Sequence, residues 1–441
     1  MIQSPRDPIL LSTSLHVDDA REAIAGLVNE LIQESEKINV SHDTESIPLD
    51  QAIDRILAED LLSPIDVPAA DNSAMDGYAF NGKCLNGNAD TITMQVIGVA
   101  YAGKPFDGKV ESGECLKIMT GALMPQGLDT VVPQEFTTEL ALNDKPAIEF
   151  KRTLLKSGDN RRLRGEDLEK GKAAISAGRI LRPSDLGLAA SLGIAKLKVR
   201  RRLKVAILSS GDELCPLGQK LEVGSIYDSN RYSLMGLLNR LNLEIIDCGI
   251  VCDEPSALKQ AFYEAAKVAD VLICSGGVSV GEADHTKQTM QDLGDVGFWK
   301  IAMRPGRPMA FGTLKPVPGQ SCSHRTLFFG LPGNPVAVMV TFYQFVRSAL
   351  LQLNGASQTT PPLTQAIAQD PIRKRAGRTE FQRAILGRDK DGKPTVRTTG
   401  SQGAGILRSM SEANCFMILN HDQGNVSAGE WVDVALFEGL L

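Results

Sequence analysis

From Leu203 to Leu353 the sequence alternates short apolar runs with amphipathic ones, and this alternation restricts the fold more than any other feature. "LKVAILSS" is an apolar run of strand length, and "DSNRYSLMGLLNRL" carries helical periodicity. "LEIIDCGIV" and "DVLICSGG" are again strand-like, with "PSALKQAFYEAAKV" as the helix between them. "WKIAMRP" and "TLFFGLPG" add strands, and "NPVAVMVTFYQFVRSALLQL" closes the region as a long helix. Strands buried on both faces and separated by helices imply a mostly parallel sheet with helices on both sides. The ligand site of such a sheet lies outside the carboxyl ends of its strands.

The flanks read differently. Val17 to Ile38 has apolar residues at helical spacing (Ile24, Leu27, Val28, Leu31, Ile32), with Asp18 placed to cap its start. Residues 46 to 155 hold short β-like runs such as "TITMQVIGVAYAG" and "DTVVPQEF" between Gly and Pro turns. "RPSDLGLAASLGIAKLKV" then gives a helix and a strand that could return to the first helix, making the β-rich part an insertion. After a linker, "NGASQTTPPLTQ", short strands with turn signals predict a sandwich or small barrel. The expected class is therefore α/β and multidomain: a linking domain of 14–48 plus 156–202, an inserted β-rich domain of 49–155, the α/β domain of 203–354 and a β-barrel-like domain of 355–441.

A net charge of −6 argues against a general nucleic-acid binder, although basic residues cluster in "RRLRGED" and "KLKVRRRLK". The N-terminal segment lacks a basic stretch followed by a long apolar one, and no run reaches the ~18 continuous apolar residues of a membrane span. A cytoplasmic protein without membrane contact is expected. The eight Cys form no CxxC pair and only five His are present, so reduced thiols are expected and no zinc site.

Three strand-then-loop motifs carry chemistry. "ILSSGDEL" ends a buried strand in two hydroxyls, a glycine and two acids, a set able to hold an anion with a divalent cation. A capping turn before a helix would use the same residues. "CSGGVSVGEADHTK" puts three glycines and two serines after a strand, where backbone N–H groups can cradle an oxyanion, with Glu282 and Asp284 beside them. It is neither a Walker A loop nor a dinucleotide fingerprint. "WKIAMRPGRPMAFG" and "LFFGLPGNPVAVM" gather Lys300, Arg304 and Arg307 beside two rigid Pro-Gly turns, and the second turn opens a helix whose N-terminus is a natural anion site. No Ser–His or Cys–His pair is visible. The chemistry expected is charge stabilisation of an anionic group by metal and fixed cations.

Nine stretches in this order resemble one family, the molybdopterin molybdenumtransferases, which include the E domain of gephyrin. They are "DNSAMDGYAF", "IMTGALMP", "RRLRGED", "SSGDEL", "IYDSNRYSL", "SGGVSVGEADHTK", "FWKIAMRPGRPMAFG", "LPGNPVAV" and "TEFQRA". The resemblance implies four domains in an elongated homodimer. It also implies a reaction: molybdenum from molybdate enters adenylated molybdopterin, with Mg²⁺-dependent cleavage of the adenylate and release of AMP. Transient contact with the adenylyltransferase and with apo-molybdoenzymes would accompany it. Two other functions remain open at this point, a gephyrin-like scaffold without catalysis and a molybdopterin adenylyltransferase.

Carried over from the family, the catalytic positions are Asp71, Thr120, Asp167, Asp253 and Lys300. Substrate would be held by Ser275, Gly276, Gly277, Ser279, Gly281, Lys300, Arg304, Pro305 and Arg383, and the metal by Glu213 and Asp284. Asp253 could equally cap a helix. The family's use of "DNSAMDGYAF" implies that Asp71 serves the pocket of the other subunit, while Asp76 shapes its own turn. Two departures stand out. Arg304 and Arg307 stand where Lys is common, and an Arg fork is not equivalent to an ammonium. Ala404 and Ser401 stand where the family often has Ser and His.

Overall fold

The computed structural model describes residues 14–37, 44–276, 292–315 and 325–437. They form two compact units. The first takes the described residues of Met1–Glu59, Ala177–Leu186 and Lys196–Leu441, the second Asp60–Ser176 and Gly187–Ala195.

In chain order, the sheet of the first unit has strands β1 (Ser14–Leu15), β2 (Lys204–Ser210), β3 (Glu244–Val251), β4 (Val271–Ser275), β5 (Gly294–Ile301), β6 (Pro308–Leu314) and β7 (Thr326–Leu331). Its helices are α1 (Val17–Lys37), α2 (Asn230–Arg240), α3 (Pro255–Val268) and α4 (Pro335–Leu353). The strand order is β1-β5-β6-β7-β4-β2-β3. β2 runs parallel to β3 and β4, β4 to β7, and β1 to β5. Only β6 runs against its neighbours. The carboxyl ends of β2, β3, β4, β5 and β7 therefore share one edge, where β6 begins.

Sequence and burial agree along these elements. β4 and β7 are buried at every position, as strands covered on both faces must be. α1 buries Ala20, Ile24, Leu27, Val28 and Leu31, one stripe at helical spacing. α3 starts with Pro255 in its first turn and buries Leu258, Phe262 and Ala265. Each Leu, Ile, Val or Phe buried this way contributes about 1.5–3 kcal/mol relative to exposure.

Three details differ from expectation. Asp18 lies inside the first turn of α1 and pairs with Arg21 at 2.9 Å instead of capping the helix from outside. β6, "PMAFGTL", is a strand where the sequence shows only a continuation of a basic turn. α4 is long and apolar enough by length and composition to cross a membrane, but its side chains, Phe342, Phe345 and Leu350 among them, are buried in the core of this unit. A π-helical segment, Phe342–Val346, interrupts it.

The C-terminal strands are β8 (Thr364–Ala368), β9 (Thr379–Arg388), β10 (Pro394–Thr398), β11 (Cys415–Leu419) and β12 (Trp431–Leu436). They follow the order β9-β10-β8-β12-β11, and β11 pairs back to β9, which closes a five-stranded barrel. Met303–Arg304 lies alongside β9 as an added edge. The class is α/β and multidomain with a C-terminal barrel.

The second unit is built on a six-stranded sheet in the order Thr130–Pro133, Gly77–Phe80, Glu114–Ile118, Thr91–Ala100, Lys145–Lys151, Thr138–Leu142. Phe80 and Phe150 pack at 5.2 Å between ring centroids in its core.

Candidate functional site

At the carboxyl edge of the large sheet, polar groups converge from three strand ends. Ser210, the last residue of β2, donates its hydroxyl to Asp253. Ser209 donates to the buried Asp228 at 3.0 Å, and Asp228 also pairs with Arg231 at 3.1 Å. Asn230, the first residue of α2, donates from Nδ2 to Ser275 Oγ at 2.8 Å and to the Gly333 carbonyl at 2.7 Å. One amide thus ties β4 to the turn before α4. Its Oδ1 is buried and has no partner among the described residues. A buried acceptor left open is costly, and a ligand N–H or O–H would satisfy it.

Gly276 follows Ser275 with φ +85°, and a Cβ there would fall 2.2 Å from the Ser210 carbonyl oxygen. The two strand ends approach too closely for any side chain at 276, so backbone lines this edge, and the Gly276 N–H donates to the Leu331 carbonyl at 3.2 Å. Gly277, Ser279, Gly281 and Asp284, expected as the rest of this loop and as a metal ligand, lie outside the described residues.

The SSGDEL turn precedes no helix; a short strand, Leu214–Cys215, follows it. Glu213 is exposed, its carboxylate folds over Gly211, and it has no hydrogen-bond or ion-pair partner among the described residues. Asp253 does not cap α3, because the capping position belongs to Glu254. Its carboxylate accepts from Ser210, and its N–H donates to Asp212 Oδ1 at 3.1 Å. No group of three His, Cys, Asp or Glu able to hold a metal occurs among the described residues. Mg²⁺ is usually held by one or two carboxylates together with phosphate oxygens and water, and a free Glu213 beside this backbone-lined edge fits that donor set.

Lys300, the penultimate residue of β5, pairs with Ser14 and is exposed on the same edge of the sheet. The turn that follows packs closely: Gly306 has φ +95°, and a Cβ there would lie 2.6 Å from the Thr341 methyl group of α4. The N-terminus of α4 is less open to anions than expected. Pro335 has no N–H, and the Val336 N–H donates to the Ala404 carbonyl at 3.1 Å. The loop of residues 400–405 is thereby fastened to the sheet edge.

Arg304 and Arg383, both expected to hold substrate, are set on opposite faces of β9, yet close enough for the charge of one to reach the other. Arg304 is paired in register with Glu380, and Glu380 and Gln382 share one face of β9 while Phe381 and Arg383 share the other. Arg304, Glu380, Gln382, Arg397 and Gln402 line a cleft of about 250 Å³ beside the barrel. Arg383 is buried instead. Its Nε donates to Ser409 Oγ at 3.0 Å and its Nη2 to the carbonyls of Gly403, at 3.0 Å, and Ser401, at 3.4 Å. Burial pulls its pKa down to about 10, with the charge of Arg304 adding to the effect. Arg383 therefore braces the 401–403 loop and leaves Nη1 without a partner among the described residues. Pro305 is buried, and Arg307 is exposed.

In the second unit, Asp71 Oδ1 accepts from the Arg164 N–H at 2.9 Å, and its other oxygen lies 3.4 Å from Arg161. Asp76 accepts from both the N–H and the hydroxyl of Thr120, each at 2.7 Å. These bonds, the backbone one first, hold the Asp76 carboxyl below its usual range. Thr120 thus locks the Asp76 turn. Asp167 is exposed and its side chain has no partner among the described residues.

Asp228 and Asn230 are the polar groups of the strand edge that motif reading did not single out. "IYDSNRYSL" reads as a strand and a capped helix, and nothing in that pattern says the Asn amide reaches two other strand ends.

Comparison with known proteins matches three family models end to end along the chain: "MoeA N-terminal region (domain I and II)" over 15–193, "Probable molybdopterin binding domain" over 206–352, and "MoeA C-terminal region (domain IV)" over 365–437. A molybdopterin molybdenumtransferase of Haemophilus influenzae is 43% identical over 407 residues, covering 92% of this chain and 97% of that protein. One of Nostoc sp. is 33% identical over 398 residues, 89% of each chain. The crystal structure of the molybdopterin biosynthesis moeA protein from Pyrococcus horikoshii OT3 superimposes with a TM-score of 0.78 at 28% identity, covering 96% of this chain and 100% of that one.

Proposed function

The chain belongs to the molybdopterin molybdenumtransferase family, enzymes of molybdenum cofactor biosynthesis, and from that premise we propose that it inserts molybdenum from molybdate into adenylated molybdopterin and releases AMP. The observation that carries this reading is the backbone-lined edge where Gly276 meets Ser210, with the open Asn230 Oδ1 beside it. The Gly276 N–H is already bonded to the Leu331 carbonyl, so the N–H donors for a phosphoanhydride would come from the glycines that follow it, and a pterin N–H satisfies the Asn amide.

Roles follow from position. Ser275 and Gly276, continued by Gly277, Ser279 and Gly281, hold the phosphates and pterin. Lys300 brings a cation to the same edge and, with Arg304, Pro305 and the free Nη1 of Arg383, attracts the molybdate dianion. Asp253 takes part in cleavage of the anhydride, its carboxylate held through Ser210. Glu213 and Asp284 are the ligands for Mg²⁺, which when bound neutralises charge on the phosphoanhydride. Water attacks phosphorus, the P–O–P bond breaks and AMP leaves, while molybdate gives up oxide as the dithiolene sulfurs bind the metal. The enzyme acts in the cytoplasm as a homodimer in which Asp71, Thr120 and Asp167 of one chain serve the pocket of the other. The adenylyltransferase supplies its substrate by transient contact, and apo-molybdoenzymes receive its product.

The test is incubation with adenylated molybdopterin, Mg²⁺ and molybdate. AMP release that depends on all three is expected, together with a product able to activate an apo-molybdoenzyme. Failure to release AMP from a folded, Mg²⁺-supplied protein would overturn the reading.

A further inference from the structure

The helices that begin at the strand edge end at a second cavity, whose lining mixes charged side chains with Ile56, Ile180, Leu241 and Leu351. Arg240 closes α2, which starts at Asn230, and Arg347 lies in α4, which starts at Pro335. At 1.5 Å per residue these positions are about 15–18 Å along their helices from the carboxyl edge. Arg202 lies just before β2, at the amino edge of the same sheet. There, in the first unit, Arg55, Arg202, Arg240 and Arg347 line a cavity of about 80 Å³ with Asp54 and Asn242.

The arginines are not explained by ion pairing. Arg55 is matched by Glu45 and also donates to the Arg200 carbonyl at 2.7 Å. Arg202 and Arg240 are exposed and have no carboxylate partner among the described residues. Arg347 is only 8% exposed; its Nη1 donates to the Thr359 carbonyl at 2.8 Å, and its Nε is buried with no partner among the described residues. Asp54 makes no ion pair among the described residues. Four arginines thus line the cavity with one carboxylate, Asp54, and counting the Glu45 that pairs with Arg55 leaves an excess of two positive charges. Guanidinium forks match the oxygens of a tetrahedral anion two at a time, and a buried unpaired N–H is costly unless something accepts it. The cavity has room for several water molecules and so for a small oxyanion.

We propose that this pocket is a second anion site, separate from the carboxyl-edge constellation, and that it binds a tetrahedral dianion, phosphate or molybdate. Both share the shape and charge the pocket selects. Phosphate occupancy would report the pool of phosphate esters and their products. Molybdate occupancy would hold the substrate anion on the protein away from the reacting pterin.

The test is isothermal titration of the whole protein with inorganic phosphate and, separately, with sodium molybdate, in anion-free buffer. Arg202→Gln, Arg240→Gln and the double variant are compared with wild type. Both side chains are exposed, so the variants should melt as wild type does without anion and release AMP at the wild-type rate. Arg347→Met adds the buried position where it folds. Each single change should weaken one class of site about ten-fold or more, the loss of a charge-assisted hydrogen bond. Loss for phosphate alone, molybdate alone or both identifies the source and supports the site. Anion binding unchanged in all folded variants, or no binding by wild type at about 10 mM of either anion, would overturn it and leave a water-filled cavity.

Discussion

Gly276 and Ser210 sit so close that a Cβ on the glycine would lie 2.2 Å from the serine's carbonyl oxygen. The obstacle is backbone, which cannot swing aside as a side chain could. The glycine's φ of +85° adds strain for any L side chain. Gly276→Ala should therefore destabilise the protein by at least about 2 kcal/mol and abolish AMP release. Urea unfolding measures the first effect. A variant within about 0.5 kcal/mol of wild type would contradict this approach of the two strand ends.

Asn230 is a joint between strand ends and also an open acceptor. Asn230→Ala removes the donors to Ser275 and Gly333 and should cost about 1–3 kcal/mol. Asn230→Asp keeps Oδ1 but loses the amide donors. If Oδ1 accepts from the pterin, Ala should weaken substrate binding more than Asp does at matched folding. Equal affinities for adenylated molybdopterin in the two variants would remove Asn230 from the binding role.

How much of this was legible depended on whether a signal was local. α3 was readable to its ends, because Pro255 sits in its first turn and Leu258, Phe262 and Ala265 repeat at helical spacing. The parallel strands were readable from unbroken apolar runs. β6 was not, since a Pro-Gly turn and small residues hide a strand whose only justification is pairing with β5 and β7. The motif residues Ser210, Ser275 and Gly276 could be found from glycine and hydroxyl spacing. The opposite facing of Arg304 and Arg383 could not, because it depends on the register between Met303–Arg304 and β9. Asn230 lay hidden for the same reason: its partners are 45 and 103 residues away.

Burial separates the thiols. It pushes Cys115 and Cys415 up to about 12 and raises Cys274 as well, whereas Cys252 is exposed. The thiolate is the reactive form, so at pH 8 the three buried groups are protected by both access and protonation. Alkylation followed by peptide mapping should mark Cys252 in the folded protein, and Cys115, Cys274 and Cys415 only after denaturation. Early labelling of Cys274 would mean that the end of β4 opens in solution.

The Asp76–Thr120 pair should set part of the acid limit. Hydrogen bonds from Thr120 hold the Asp76 carboxyl below its usual range in the folded state. A group depressed in this way favours the fold above its unfolded pKa of about 4, and the advantage is lost as pH falls through the folded value. Thr120→Val removes the hydroxyl donor and keeps the N–H, so the depression shrinks. Acid unfolding, followed by near-ultraviolet circular dichroism, should begin at higher pH in Thr120→Val, and Thr120→Ser should restore it. Superimposable acid limbs would show that the side-chain bond carries no weight.

The proposed sharing of pockets across a two-fold dimer makes a sharper demand. A two-fold axis repeats every contact, so each dimer has two composite pockets. Asp71→Asn homodimers and Asp253→Asn homodimers should both be inactive, because each lesion occurs in both pockets. In a mixed dimer the pocket that takes residue 71 from the Asp71→Asn chain takes residue 253 from the Asp253→Asn chain and carries both lesions. The other pocket receives two wild-type residues. Separate tags on the two variants isolate that mixed dimer after co-expression, and size-exclusion chromatography verifies it. About half of the wild-type AMP release per dimer should return, provided the pockets act independently. No recovery in a verified mixed dimer would assign Asp71 to its own chain, where its bonds to Arg164 and Arg161 already give it a structural role.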